Sequence, residues 1–225
     1  NGRQCAAVAE KSFSIIQAFG IECSVYGDKN YPRLLKEIPD SPYMLFYRGD
    51  LSCVQGGNCV SVVGTRRICR ECAESAGNFA KEAGSEGWTV VSGLANGIDS
   101  FAHKGALVSG GKTCAVLPCG IDTIVPAGNK RLAASILKSG GCILSEYAPG
   151  VPAEKWRFVQ RNRIVAALCK GTVVVQAPPN SGALLTADFA LDYNREVVFH
   201  KSCFCRQAEI ISSAAEKALL KNNQT

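Results

Sequence analysis

No run of about 18 uninterrupted apolar residues occurs in this 225-residue chain, so no segment reads as membrane-spanning. There is one methionine and there are two histidines, and HExxH, GxSxG and paired acids beside a nucleophile are all missing. Those absences remove the usual frameworks of metal-assisted hydrolysis and serine acyl transfer. GxGxxG is missing as well, and with it the dinucleotide fingerprint. Gly110-Gly111-Lys112-Thr113 has the ending of a P-loop without its beginning, because Ala106 stands where the first glycine belongs. It also leads into an apolar strand pattern, whereas a P-loop must follow a strand. The start, Asn1-Gly2-Arg3-Gln4-Cys5, lacks both the order of a secretory leader and an initiator methionine. The chain therefore reads as beginning inside a longer one.

What is present is ordinary in bulk: 47% hydrophobic and 20% charged residues, with a net charge of +6. That length allows one good core and a small appendage, and the charge permits a polyanion partner without demanding one. The twelve cysteines are the exception. Cys59, Cys114, Cys142 and Cys169 fall inside apolar patterns, where they read as small buried hydrophobes of a reduced, cytoplasmic protein. Cys69-Arg70-Glu71-Cys72 and Cys203-Phe204-Cys205 are together enough ligands for a zinc, but the second spacing is poor and the first falls on a helix pattern. No metal or cofactor is expected.

Residues 5–20 carry Val8, Phe13, Ile16 and Phe19 at helical spacing, closed by Gly20. A loop and a short extended segment follow, through Tyr31-Pro32 and Ser41 to Gly49, and residues 1–57 read as a helical and extended appendage. From residue 58 to 200 the pattern is regular. Apolar runs at Cys59–Val63, Trp88–Val91, Thr113–Leu117, Gly141–Leu144, Thr172–Val175 and Glu196–Phe199 alternate with helical periodicity at 69–84, 99–108, 129–138, 154–169 and 183–193. Short continuous strands alternating with helices predict an α/β fold with a mostly parallel, doubly wound, Rossmann-like sheet. Residues 201–225 read as a tail with a weak helical pattern from Ile210 to Leu220.

Ligands of such sheets bind beyond the carboxyl ends of the strands, so the residues that follow each strand carry the functional signal. The first gives Gly64-Thr65-Arg66-Arg67, a glycine for close backbone approach, a hydroxyl and a guanidinium fork. The second gives Ser92-Gly93, whose hydroxyl and amides can face the same crevice, and then Asp99, read as a helix cap. The third leads to Asn129-Lys130-Arg131, the fourth to Ser145-Glu146, and the fifth to Ser181-Gly182 with Thr186 in the following helix. Several small polar loops, two with cations, describe an anion site better than a general-base site. Glu146 reads as a brace for Arg161 or Arg163, and His103 as packing or capping. On the segment Lys155 to Arg163, aromatics beside arginines suit stacking on unpaired bases. The alternative is a core stripe of Trp156, Val159, Ile164 and Leu168 with solvated arginines.

In order, these stretches resemble the DNA-processing protein A (DprA, or Smf) family. The resemblance rests on Tyr31-Pro32 with Leu34-Leu35, Pro42 through Gly49, Val62-Val63-Gly64-Thr65-Arg66 and Val91 through Asp99 with His103. It continues with Ala115 through Asp122, Pro126, Asn129 through Leu132, Ser145-Glu146, Phe158 with Arg161-Asn162-Arg163-Ile164, and Ser181-Gly182 through Ala187. The resemblance implies a non-enzymatic single-stranded DNA binder that protects incoming DNA in natural transformation and helps load a RecA-type recombinase, commonly as a homodimer. It also implies that Gly64, Thr65, Arg66 and Lys130 contact phosphates. Two departures stand out. Ala133 replaces an aromatic that some members carry, and His200-Lys201-Ser202-Cys203 stands where the family continues with a proline–glycine turn, in the C-terminal part of the domain that the family uses for dimer contacts. The competing enzymatic reading is a nucleotide phosphoribohydrolase of the lysine-decarboxylase-like type, whose PGGxGTxxE loop carries a catalytic glutamate. Pro179-Asn180-Ser181-Gly182-Ala183-Leu184-Leu185-Thr186 has no glutamate there.

Overall fold

The computed structural model describes residue 10 and residues 13–200. The tail helix expected after residue 200 lies outside the described residues, as do Cys203, Cys205 and residues 5–9, 11 and 12 of the first helical stripe, of which residues 13–19 are helical.

Alternation of strand and helix gives the parallel part of the sheet: β3 (Cys59–Gly64), α2 (Arg70–Ser85), β4 (Thr89–Ser92), α3 (Ile98–Val108), β5 (Thr113–Val116), α4 (Lys130–Lys138), β6 (Cys142–Ser145), α5 (Lys155–Ala167), β7 (Gly171–Gln176), α6 (Gly182–Asp192) and β8 (Glu196–Phe199). The inner strands β4, β5 and β6 are buried on both faces, which is why they read as unbroken apolar runs rather than alternating ones. Before them stand β1 (Glu22–Val25), α1 (Arg33–Lys36) and β2 (Met44–Gly49).

All eight strands form one sheet in the order β1-β2-β6-β5-β4-β3-β7-β8. From β6 to β8 the pairing is parallel throughout. β2 pairs antiparallel with β6, Phe46 opposite Ser145 and Gly49 opposite Cys142, and β1 pairs antiparallel with β2. The residues before 58 thus extend the sheet as an antiparallel edge. In β2 the period of two is visible: Leu45 and Tyr47 are buried while Arg48 and Met44 are partly open.

The two faces collect different helices. Val62, Val90, Val173 and Val175 pack against Cys72, Ala76 and Ala80 of α2 and Ala102 and Ala106 of α3. Ala115 and Ile143, on the same face further along, meet Leu132, Ala133 and Ile136 of α4. Val63, Val91, Val116, Leu144 and Val174 face the other way, onto Ile164 and Leu168 at the end of α5, Ala183 and Ala187 of α6, and Tyr31, Leu35 and Leu51. α2 therefore lies on one face and α6 on the other, although both follow strands that are neighbours, β3 and β7. A crevice opens at the carboxyl ends of such a pair, where the winding reverses.

No disulfide is formed between the described cysteines. Burial pushes the Cys59 thiol up to about 12, so it stays protonated and behaves as a small apolar side chain. Cys69 caps α2 and Cys72 is buried in its first turn. Among the described residues no group of His, Cys, Asp and Glu is set to hold a metal.

Candidate nucleic-acid interface

A cleft of about 460 Å³ lies at the β3/β7 reversal. It is lined by the turn after β3 (Gly64, Thr65, Arg66, Arg67), by Gly93, Ala95 and Asp99, by one side of α5 (Lys155, Phe158, Val159, Arg161, Asn162) and by the start of α6 (Ser181, Gly182, Ala183, Thr186). Eight of the sequence-predicted residues meet here: Gly64, Thr65, Arg66, Gly93, Arg161, Ser181, Gly182 and Thr186. Four do not: Ser92, Asn129, Lys130 and Arg163.

The turn after β3 is pinned by its backbone. The Thr65 N–H donates to Gln176 O at 2.7 Å, and Thr65 O accepts from Ile98 N–H at 3.2 Å, tying β3 to β7 and to the start of α3. The Thr65 hydroxyl oxygen accepts from Arg67 N–H at 3.1 Å, which leaves its hydrogen to donate outward. Arg66 is exposed, and its guanidinium sits 5.0 Å from the Phe158 ring centroid. No carboxylate among the described residues pairs with Arg66 or Lys155, so both keep their charge for a ligand. At the facing wall α6 begins with the positive end of its dipole; Leu184 N–H is taken by Ser181 O at 3.1 Å, and the amides of Gly182 and Ala183 have no hydrogen-bond partner among the described residues. Ser181 Oγ is buried there without a hydrogen-bond partner. The Thr186 hydroxyl, by contrast, donates back to Gly182 O at 3.0 Å.

Glycine at 64 and at 93 answers an internal demand rather than the approach of a ligand. A Cβ on Gly64 would lie 2.3 Å from Ile98, and one on Gly93 would lie 2.4 Å from the Arg161 guanidinium. Arg161 is 3% exposed and donates to Gly93 O at 2.7 Å and to Val116 O. Asp99, expected as a cap of α3, instead accepts from Gly93 N–H at 3.1 Å and Ala95 N–H at 3.3 Å. The loop amides after β4 are therefore already used. Burial pulls Arg161 down to about 10 against the attraction of Asp99, and pushes the Asp99 carboxyl up against the attraction of Arg161. Beside them, burial and then Arg161 hold His103 down at about 3, and its Nδ1 bonds the Thr113 hydroxyl at 2.7 Å.

Of the other predicted residues, Ser92, Asn129 and Arg163 serve as struts. Ser92 is fully buried and donates to Val62 O at 2.7 Å. Asn129 donates to Leu94 O at 2.8 Å and Ser100 Oγ at 3.0 Å, and Lys130 is exposed at the start of α4, outside the cleft. Arg163 bridges Glu146 at 2.5 Å and Asp40 at 3.4 Å, so the Glu146 brace falls on Arg163 and not on Arg161. Burial raises the Glu146 pKa, with Arg163 pulling it back. The core-stripe reading of α5 is reversed in its first half. Trp156 is 53% and Val159 43% exposed, while Arg161 and Arg163 are buried, because backbone carbonyls and carboxylates meet the guanidinium groups inside. The predicted set also omitted Arg67, Lys155, Phe158 and Asn162. Residues 155, 158 and 162 lie at i, i+3 and i+7, one face of a helix, and that spacing was the available signal.

The model of the family described as DNA recombination-mediator protein A matches residues 22–223. The DNA processing protein DprA of Bacillus subtilis is 38% identical over 178 residues, 79% of this chain and 60% of its own length. The chain spans about 60% of the length of the DprA proteins of Bacillus subtilis and Streptococcus pneumoniae. Two solved structures are similar. DNA processing protein A from Streptococcus pneumoniae has a TM-score of 0.76 at 37% identity, covering 86% of this chain and 69% of its own. DNA processing protein A from Helicobacter pylori, studied for its single-stranded DNA binding mode, has a TM-score of 0.78 at 28% identity and covers 88% of each chain.

Proposed function

The chain belongs to the DNA recombination-mediator protein A family, and from that premise we propose that it binds single-stranded DNA in the β3/β7 cleft without catalysing a reaction on it. The observation that carries the reading is the cleft itself: an unpaired guanidinium stacked on Phe158, a free helix N-terminus with a partnerless Ser181 hydroxyl, and Lys155 on the same rim. Cations and amide donors hold a phosphate backbone, and a ring beside an arginine takes a base face. Gly64, Thr65, Arg66, Ser181 and Gly182 are the contacts assigned to the cleft. Lys130 would extend the path towards α4.

A recombination mediator acts with a recombinase, so the proposed partners are single-stranded DNA, a RecA-type recombinase and a second copy of the chain, in the cytoplasm. The family description and the named relatives support that extension. No helix among the described residues is long and apolar enough to cross a membrane. The phosphoribohydrolase reading lacks a base. Among the described residues Asp99 is the one carboxylate lining the cleft, and it is bound to two amides and lies in the field of Arg161.

The test is fluorescence anisotropy with single- and double-stranded oligonucleotides across a salt series. Affinity for single strands should fall linearly with log salt. Arg66→Ala should weaken it about tenfold and flatten the slope by about 0.7, one phosphate contact on a single strand. Lys130→Ala should flatten it further if the strand continues over α4. Salt-independent binding, or an Arg66→Ala variant that binds like the unsubstituted protein, overturns the proposal.

A further inference from the structure

Tyr147, in the loop after β6, and Trp156 and Arg157, on the flank of α5 turned towards that loop, lie outside the cleft lining. The Arg157 guanidinium is held between two rings, 4.8 Å from the Trp156 centroid and 5.2 Å from that of Tyr147. The rings meet edge to face, 6.4 Å apart at 87°. Trp156 Nε1–H donates to Glu154 at 2.5 Å, and the Tyr147 hydroxyl donates to Gln160 at 3.1 Å. Arg157 also reaches Pro152 O and stands 3.6 Å from the Glu154 carboxylate, so that carboxylate is charge-paired.

Three directional contacts thus fix an indole that is still 53% exposed. An apolar ring of that size left in water is unfavourable, and locking its rotamer costs side-chain entropy. Both costs are recovered when a flat, weakly hydrated partner covers the ring, and a pre-ordered ring loses little entropy at that moment. The position is also continuous with the cleft. Trp156 is two residues from Phe158, which carries Arg66, and Lys155 between the two sites already lines the cleft. Residues two apart on a helix point to opposite sides, so the two rings flank the first turn of α5, about 10–12 Å across with its side chains.

We propose that Trp156, backed by Arg157 and Tyr147, is a second stacking site for an unpaired base of the strand that leaves the cleft at Arg66 and Phe158. The strand crosses the first turn of α5, its phosphates passing Lys155, and one base lies on the outer face of the indole. The inference rests on the cleft being the single-stranded DNA site.

The chain has two tryptophans, so Trp88→Phe leaves Trp156 as the only indole and its emission as a direct report on this face. Labelled oligothymidylates of about 4 to about 16 nucleotides, the range of site sizes for stacking folds, are titrated with anisotropy and emission read together. Short oligonucleotides should raise anisotropy without quenching. Longer ones should quench Trp156, and an abasic strand of equal length should not. Trp156→Ala should weaken the long oligonucleotide about tenfold and leave the shortest unchanged, and Trp156→Phe should restore most of the loss. Long-strand binding that depends on Arg66 while Trp156 emission stays constant overturns the second site and leaves the cleft standing. Quenching that persists with the abasic strand overturns stacking. An absence of salt-dependent binding at every length overturns the cleft reading, and this inference with it.

Discussion

Over β4, β5 and β6 the strand-end loops close on themselves, whereas over β3 and β7 loops of the same composition stay open. In the closed half the amides of Gly93 and Ala95 are taken by Asp99, the Gly93 and Val116 carbonyls by Arg161, and Glu146 by Arg163. In the open half, among the described residues, Arg66 lies against an aromatic face without a carboxylate, Ser181 Oγ has no partner, and the Gly182 and Ala183 amides at the start of α6 stay open. Arginine, serine and glycine are common to both. What separates the halves is whether a carboxylate or a carbonyl reaches the donor first. A cation at a strand end becomes a ligand contact only where nothing inside the fold opposes it.

The largest effect that would break this contrast is expected from Arg161→Ala. It leaves the Asp99 carboxylate buried without its guanidinium and strips a donor from two carbonyls, costing about 3–5 kcal/mol. Arg66→Ala, a surface change, should stay within about 0.5 kcal/mol. Urea unfolding of both variants measures the difference. Similar losses would mean that the two halves are not distinct.

A second effect comes from the imidazole of the closed half. His103 is held at about 3 in the folded chain, below its ordinary 6.5, by burial foremost and Arg161 next. The unfolded chain therefore takes up a proton that the folded chain refuses, and stability is lost as pH falls from about 6.5 towards 3. At pH 5 the loss from this group is about 2 kcal/mol. Asp99 shifts upward, so it works in the opposite sense. A comparison with His103→Asn, in which Asp99 is retained, isolates the imidazole. Unfolding free energies at pH 7 and pH 5 should converge in the variant. An unchanged pH dependence would place His103 in contact with water.

The contrast also shows which features the sequence made legible. Every strand and helix from β3 to β8 could be read to within about two residues, because a sheet buried on both faces writes itself as apolar runs. β1 could not, since Glu22-Cys23-Ser24-Val25 has its antiparallel partner far away at Met44–Gly49 and carries no run of its own. The location of the cleft was legible through the residues after β3 and β7. The roles of its arginines were not. Arg161 and Arg163 have the same local sequence character as Arg66, and their burial depends on carbonyls and carboxylates contributed from residues 40, 93, 116 and 146. Trp156 shows the converse: a large aromatic at core-like spacing that the fold leaves half in water.

The smallest effect tests the open half at its most ambiguous residue. A serine before a helix normally caps it, and its replacement by alanine costs about 1 kcal/mol. Ser181 has the extended backbone of an N-cap, φ −82° and ψ 154°, but its side chain makes no cap bond and its Oγ has no partner. Ser181→Ala should therefore leave the unfolding midpoint of the protein where it is. Its cost should surface only on the ligand side, as a loss of about fivefold in single-strand affinity for one hydrogen bond of ordinary strength. The two readouts separate the roles, because a cap serves the free protein and a ligand donor serves the complex. A drop in stability with unchanged affinity would assign Ser181 to α6. The partnerless oxygen would then no longer support a phosphate at this end of the cleft.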